Sequence, residues 1–350
     1  MDIKITNIST ANPRLKLSQT EALQFLLRSK NISQDEKILY KRFLRDGGIN
    51  ARYFALDKVE DIFIKNQDII IDRFQKKAVG LSMASLKKCF KHSTIKEEDI
   101  DCLIAVTCTG YLCPGLTSYI VEKGRVRRDI YMNDIVGMGC GGALPALQGA
   151  YNFLKANNNS NAIVICTEIC SSAASWGNDP ELILSNSIFG DGSASCTLTN
   201  KTGVNGLRVV DFSSMILTEH RDELRFKIEN SILRNVIKKT VPEIAASLVK
   251  EIVNSLVKKN GLKMDDVVFW VIHPGGRRVL DRIQSVLGLN QEDLSYSRGV
   301  LYRYGNMSSP TVLYILKDIL EKGRLKRGDN IVMASFGAGF SGYAALLRYE

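Results

Sequence analysis

Histidine is scarce in this chain. His92, His220 and His273 are the three it has in 350 residues. Three imidazoles so far apart exclude a histidine-built zinc cluster, and no metal is expected. No apolar run reaches membrane-spanning length, and Met1-Asp2-Ile3-Lys4 carries no signal-peptide core. The expectation is a cytoplasmic protein with no membrane partner. No CxxC pair occurs either. The eight cysteines sit mostly inside apolar runs (Cys102, Cys166, Cys196), which favours reduced thiols over a disulfide framework. A basic block with interleaved aromatics is also missing. The net charge is +10, but Lys76, Lys77, Lys87, Lys88, Lys258 and Lys259 are spread over helical stretches. That pattern is solvated helix surface rather than a nucleic-acid footprint, with a few cations free for an anionic small molecule such as a nucleotide-bearing thioester.

What remains is a globular composition, 45% hydrophobic and 24% charged, with length enough for one large or two ordinary domains. Ile3–Ser9 alternates as a strand, and Ser18 with Glu21 three residues on opens a helix with a capping box. Asp68–Phe90 has the spacing of a long amphipathic helix. Cys102–Cys108 and Ala162–Thr167 are apolar without alternation, as strands covered on both faces are. A similar series begins near Gly206: a strand at Leu207–Leu217, a helix at Pro242–Lys259, a buried strand at Val267–Ile272, and closing strands at Ile331–Ser335 and Gly342–Arg348. The fold class is therefore α/β, read as two fused halves of related topology, 1–205 and 206–350, whose sheets are sandwiched by helices.

The run Val136–Leu147 organises the reading. Cys140 stands where the strand-like run Ile130–Val136 turns into the helical run Leu144–Lys155, with Gly137, Gly139, Gly141 and Gly142 around it. A thiol at a helix N-terminus is expected to have a lowered pKa. A buried structural cysteine in a glycine turn is the plain alternative. His273 and Asn306 stand at comparable strand ends beside glycines, where α/β proteins place chemistry. Cysteine with histidine makes an activated nucleophile, and asparagine with neutral histidine can stabilise an oxyanion. Spacing alone leaves open whether the three meet.

Five runs in order, Gly137–Leu147, Ile188–Ser195, Val271–Asp281, Tyr304–Leu316 and Phe336–Phe340, resemble the chalcone and stilbene synthase family, the type III polyketide synthases. Residues before about 100 match more weakly, through Ile49–Tyr53. The resemblance implies a thiolase-type αβαβα layered fold, a homodimer, and no cofactor beyond CoA thioesters. It implies Cys140 as acyl carrier, His273 and Asn306 as the pair that binds thioester carbonyls and assists decarboxylation of malonyl-CoA, and Phe189 as the gate to the CoA tunnel. Starter acyl-CoA and malonyl-CoA are the implied partners. Glu168, Cys170 and Ala173 fall on the chamber wall, together with Cys108, and Cys113 falls where a residue reaches into the partner's chamber. Arg52, Arg277 and Arg278 are candidate cations for CoA, with solvated surface as the alternative. Cys166–Trp176 and Gly299–Asn306 look closer to bacterial members such as the dihydroxyphenylacetyl-CoA synthases, and Ala338 replaces a proline of the plant motif. Two rivals share the fold: an initiation-type β-ketoacyl carrier-protein synthase, and a non-catalytic partner subunit.

Overall fold

Apolar strands without alternation need cover on both faces, and the computed structural model, which describes residues 2–91, 93–229 and 232–350, supplies it in layers. In the first half the elements run β1 (Lys4–Ala11), β2 (Leu15–Ser18), α1 (Gln19–Arg28), α2 (Gln34–Asp46), β3 (Ala51–Phe54), α3 (Gln67–Lys91) and β4 (Cys102–Val106). There follow α4 (Leu116–Lys123), β5 (Tyr131–Ile135), α5 (Ala143–Ala156), β6 (Asn161–Glu168), α6 (Pro180–Ile188) and β7 (Gly192–Thr199). The second half has β8 (Leu207–Ile216), the hairpin β9 (Leu224–Glu229) and β10 (Ile232–Ile237), α7 (Val241–Lys259), β11 (Val267–Ile272), α8 (Arg277–Leu287) and α9 (Ser295–Tyr304). It closes with α10 (Thr311–Lys322), β12 (Asn330–Gly337) and β13 (Ser341–Tyr349).

Nine strands form one ladder in the order β11-β12-β13-β8-β1-β7-β6-β4-β5. The pairs β4–β6 and β11–β12 are parallel, and β6–β7 and β12–β13 antiparallel. The two sides are joined between β1 and β8 through Lys4↔Arg208 and Ile5↔Leu207. One face of both sides, including Ile104, Val164, Met333 and Ala345, closes on α5 and α10. The opposite face of β4 and β6 packs on α3, where Leu103 and Ile163 share a cluster with Val79 and Leu86. The opposite face of β11 and β12 packs on α7, where Trp270 and Val332 meet Leu248 and Ile252. The succession is helix, sheet, helix, sheet, helix, as expected.

Local chemistry fixes several boundaries. Ser18 caps α1: its hydroxyl accepts from Glu21 N at 3.1 Å, and its own N–H donates to Glu21 Oε2 at 2.7 Å. Asp179 caps α6, with Pro180 at the first helical position. The strand at Ile130–Val136 forms as the exposed edge β5, with Tyr131, Met132 and Val136 in solvent. Among the described residues no helix is long and apolar enough to cross a membrane, and no group of three histidine, cysteine or carboxylate side chains could hold a metal. His92 lies outside those residues.

Candidate functional site

The turn between β5 and α5 is built from glycine. Gly137 and Gly139 take φ of 78° and 56°, in the left-handed region that glycine enters freely. Gly337 at the end of β12 presses against this turn, so closely that a Cβ there would lie 2.7 Å from Gly141 N and 3.3 Å from Cys140 N. Ser335 Oγ donates to Gly141 O at 3.3 Å. Late sequence thus clamps the cysteine turn. Cys140 itself is buried, and the side chains of Ser308 and Asn306 stand near enough to favour its thiolate. Burial outweighs their influence and pushes the thiol up to about 12. The expected lowering of its pKa is therefore wrong: desolvation of a thiolate exceeds what a helix N-terminus returns.

His273 follows β11 and is fully buried, its N–H tied to Ala334 O at 2.9 Å. Among the described residues neither buried ring nitrogen has a hydrogen-bond partner, and the ring packs edge-on against Phe336 at 5.4 Å. Burial lowers its pKa to about 3, so the imidazole is neutral. Asn306 precedes α10. Its N–H donates to Ile188 O at 2.9 Å, and its carbonyl accepts from Gly190 N at 3.0 Å, which stitches it to either side of Phe189. Asn306 Nδ2 donates to Gly275 O at 3.3 Å, in the loop that carries His273. Asn306 thus stands near the cysteine and touches the histidine loop.

Ser308 adopts φ 61°, a conformation that non-glycine residues avoid. Its N–H donates to Asn306 Oδ1 at 2.8 Å, and its hydroxyl lies 3.4 Å from Cys108 Sγ. Behind it sits Glu168, fully buried at the end of β6. Glu168 Oε2 accepts from Cys108 N at 2.9 Å, Thr109 N at 3.2 Å and Thr109 Oγ1 at 2.9 Å. Its Oε1 accepts from Ser309 Oγ at 2.6 Å and Cys108 Sγ at 3.2 Å. Burial raises the pKa of this carboxyl against the pull of those donors. One carboxylate so holds the loop after β4 and the loop before α10 together. Sequence reading missed Thr109, Ser308 and Ser309, although Thr109 adjoins Cys108 and the two serines follow Asn306 by two and three residues.

A cavity opens at Cys140, and Cys108, Cys170, Ala173 and Phe189 line it. Glu168 stands behind the wall. Cys113 is exposed on the loop after β4. Arg52 is the misplaced residue. It was expected at a tunnel mouth, but it is 3% exposed. Its guanidinium donates to Gln19 Oε1 at 2.9 Å and to the carbonyls of Asn186 and Phe189, each at 2.7 Å. It braces the segment around Phe189 from inside. Arg277 and Arg278 stand exposed at the start of α8 and do not line the cavity.

Known proteins share this fold. Residues 7–223 match the model for FAE1/type III polyketide synthase-like protein, and residues 209–348 match that for the chalcone and stilbene synthase C-terminal domain. A 3,5-dihydroxyphenylacetyl-CoA synthase of Amycolatopsis balhimycina is 31% identical over 99% of this chain and 93% of its own. The structure of PKS-I from the brown alga Ectocarpus siliculosus superposes with a TM-score of 0.92 at 27% identity, covering 100% of this chain and 98% of that one. The 1,3,6,8-tetrahydroxynaphthalene synthase of Streptomyces coelicolor gives 0.93 at 23% identity over 99% of each chain, a likeness of fold. The thiolase-type layering expected from the sequence is borne out by these neighbours. With its two halves matched in succession by the family's own models, the chain belongs to the type III polyketide synthases, condensing acyltransferases of the chalcone and stilbene synthase kind.

Proposed function

We propose that Cys140, His273 and Asn306 carry the condensation. The observation that weighs most is the fully buried His273, whose two ring nitrogens have no partner among the described residues, on the loop that Asn306 bonds near Cys140. A buried imidazole without partners is costly unless a substrate completes it. The Cys140 proton passes to His273 as the sulfur attacks the thioester of a starter acyl-CoA. The neutral thiol and neutral imidazole become an ion pair that bound thioester stabilises. The tetrahedral oxyanion takes hydrogen bonds from His273 and Asn306, and CoA leaves with the proton. Malonyl-CoA then loses carbon dioxide; the same two donors hold the resulting enolate oxygen. The enolate carbon attacks the Cys140 thioester, a carbon–carbon bond forms, and the cysteine is freed for the lengthened chain. No group beyond the thioesters is required.

Phe189 serves as the gate, since its backbone pairs with Asn306 and its side chain lines the cavity. Glu168, Cys108, Cys170 and Ala173 shape the chamber, and Arg277 and Arg278, exposed just beyond the His273 loop, receive the CoA phosphates. The division into halves at residues 205 and 206 follows the repeat of strand order on either side of β1 and β8. The enzyme works as a cytoplasmic homodimer. The open edge β5 and the nearby exposed Tyr111 and Cys113 offer the surface for a second copy. Tryptic mass mapping after incubation with an acyl-CoA tests the central assignment. The acyl mass belongs on Cys140; its appearance on Cys108, Cys113 or Cys170 with Cys140 unmodified refutes it.

A further inference from the structure

Most polar side chains on the cavity lining have their hydrogen bonds made within the protein. Asn186 donates to Tyr40 Oη and Ser175 O. Arg52 is engaged by Gln19, Asn186 and Phe189, Thr109 by Glu168, and Ser171 by Asp191. Ser185 on α6 and Asn235 on β10 differ. Both line the cavity, at 5% and 7% exposure, and among the described residues neither the hydroxyl nor the amide has a hydrogen-bond partner. Ser185 lies one helical turn before Phe189, another lining residue, whose N–H donates to Ser185 O at 3.2 Å. Across the hairpin Asn235 pairs with Phe226, and Ile237 with Leu224. Directly opposed residues share a face of the hairpin, and Phe226 and Leu224 line the cavity. Arg234, on the other face of β10, turns away to Asp179 and Glu229. Since β10 packs on α6, the two residues come from adjoining elements of one wall.

A buried amide or hydroxyl left unpaired costs stability, so its presence points to a ligand that supplies the partner. We infer that Ser185 and Asn235 hydrogen-bond the ketone oxygens of the growing chain on Cys140, and so set how many extensions are completed. The inference rests on Cys140 as the acyl carrier, with His273 and Asn306 holding the thioester carbonyl. With that carbonyl taken, an unsubstituted acyl starter brings no other oxygen. Each condensation adds one more ketone, two carbons along, so further carbonyl acceptors exist only in extended chains. Serine O–H and asparagine N–H both donate to a ketone, and the asparagine oxygen accepts from its enol. A chain held in this way waits for the next malonyl unit. An unheld chain is free to lactonise: its enol oxygen attacks the thioester carbon, the carbon–sulfur bond breaks, and the cysteine leaves as the thiol with the enol proton.

The experiment offers malonyl-CoA with acetyl-, hexanoyl- or benzoyl-CoA to the parent, Ser185→Ala, Asn235→Ala and the double variant, and sorts the products by length with mass spectrometry. Both substitutions enlarge the chamber, so space alone would lengthen the products. The expected result is the reverse. The ratio of the longest product to the next shorter one should fall about fivefold in each single variant, the worth of one neutral hydrogen bond, and further in the double variant. Ser185→Thr, which keeps the hydroxyl, should retain the parent ratio. Asn235→Val, which suits a strand and lacks the amide, makes the same test if Asn235→Ala fails to fold. An unchanged or raised ratio in the folded variants overturns the inference. So does a raised KM for malonyl-CoA with the ratio kept, which would assign the pair to the amides of the CoA arm. In both cases an acyl mass on Cys140 of the parent leaves the condensing reaction standing. No acyl mass on Cys140 with any starter overturns the catalytic assignment and this inference with it.

Discussion

Replacing Glu168 separates its charge from its shape. In Glu168→Gln the amide oxygen can take the place of Oε2, where the N–H groups of Cys108 and Thr109 require an acceptor. The amide nitrogen then falls at Oε1, opposite Ser309 Oγ, a hydroxyl able to turn and accept. All backbone donors stay paired, and what is lost is the charge on several hydrogen bonds. The loss is partly offset because a buried carboxylate is itself unfavourable, as its raised pKa indicates. The net cost is about 1–2 kcal/mol, from the difference between charged and neutral hydrogen bonds. Glu168→Ala leaves both backbone N–H groups buried without an acceptor, at about 1–3 kcal/mol each, and adds a cavity. Its cost is about 4 kcal/mol or more. Calorimetry on the three proteins should show the alanine variant melting several degrees below the glutamine one, at roughly 2 °C per kcal/mol for a large domain. Equal melting temperatures for the two variants, or an alanine variant as stable as the parent, would refute the account of Glu168 as the acceptor that ties the two loops.

Asn306→Ala should reduce malonyl-CoA decarboxylation by about two to three orders of magnitude, the usual cost of one oxyanion donor, with the melting curve little changed; near-normal decarboxylation in the folded variant would remove Asn306 from that role. Ala173→Leu should shorten the product or exclude bulky starters, because its side chain lines the cavity. An unchanged product profile with stability lower by about 1–3 kcal/mol would mark an overpacked core position instead. Asp191 is buried and its pKa is raised from 3.8 to about 6, mainly by burial. A carboxyl whose folded pKa lies above its unfolded value contributes most below the unfolded value and loses that contribution as pH climbs through the folded one. Denaturant titrations of wild type and Asp191→Asn should therefore diverge between about pH 4 and 6, the wild type losing stability relative to the variant as pH rises; parallel curves would contradict the raised pKa.

Strand and helix positions were legible wherever periodicity was strong. Val267–Ile272 agrees with β11 residue for residue, and Asp68–Phe90 lies within α3. The hairpin β9–β10 was missed because its charged, half-exposed strands lack a clean apolar face. Cys140, His273 and Asn306 were singled out from strand ends, glycine flanks and motif resemblance, and the fold brings Asn306 to the loop of His273. Their electrostatics were not. Whether Cys140 is a thiolate depends on how completely the fold removes water from it, and helix-terminus reasoning carries no measure of that. Arg52 failed for the same reason: a cation in a short polar-looking segment reads as surface, while its three acceptors come from Gln19, Asn186 and Phe189, far apart in sequence. Glu168 was chosen as chamber wall, yet its donors from Cys108, Thr109 and Ser309 can be seen only once the chain is folded.

The place of β13 in the ladder bears on how the chain acquires its structure during synthesis. This strand is the last in sequence, yet it lies between β12 and β8, pairing with both over most of its length. Until it leaves the ribosome, the edges of β8 and β12 are open, and β12 lacks the partner that fixes Gly337 against the Cys140 turn. The nucleophile, made early, therefore waits for some two hundred later residues before its surroundings close. Such long-range pairing folds slowly and exposes strand edges meanwhile. Removing β13 would open the sheet at its middle, so a nascent chain stalled before Ser341 should be recovered with chaperones or as aggregate rather than as a slightly shortened enzyme.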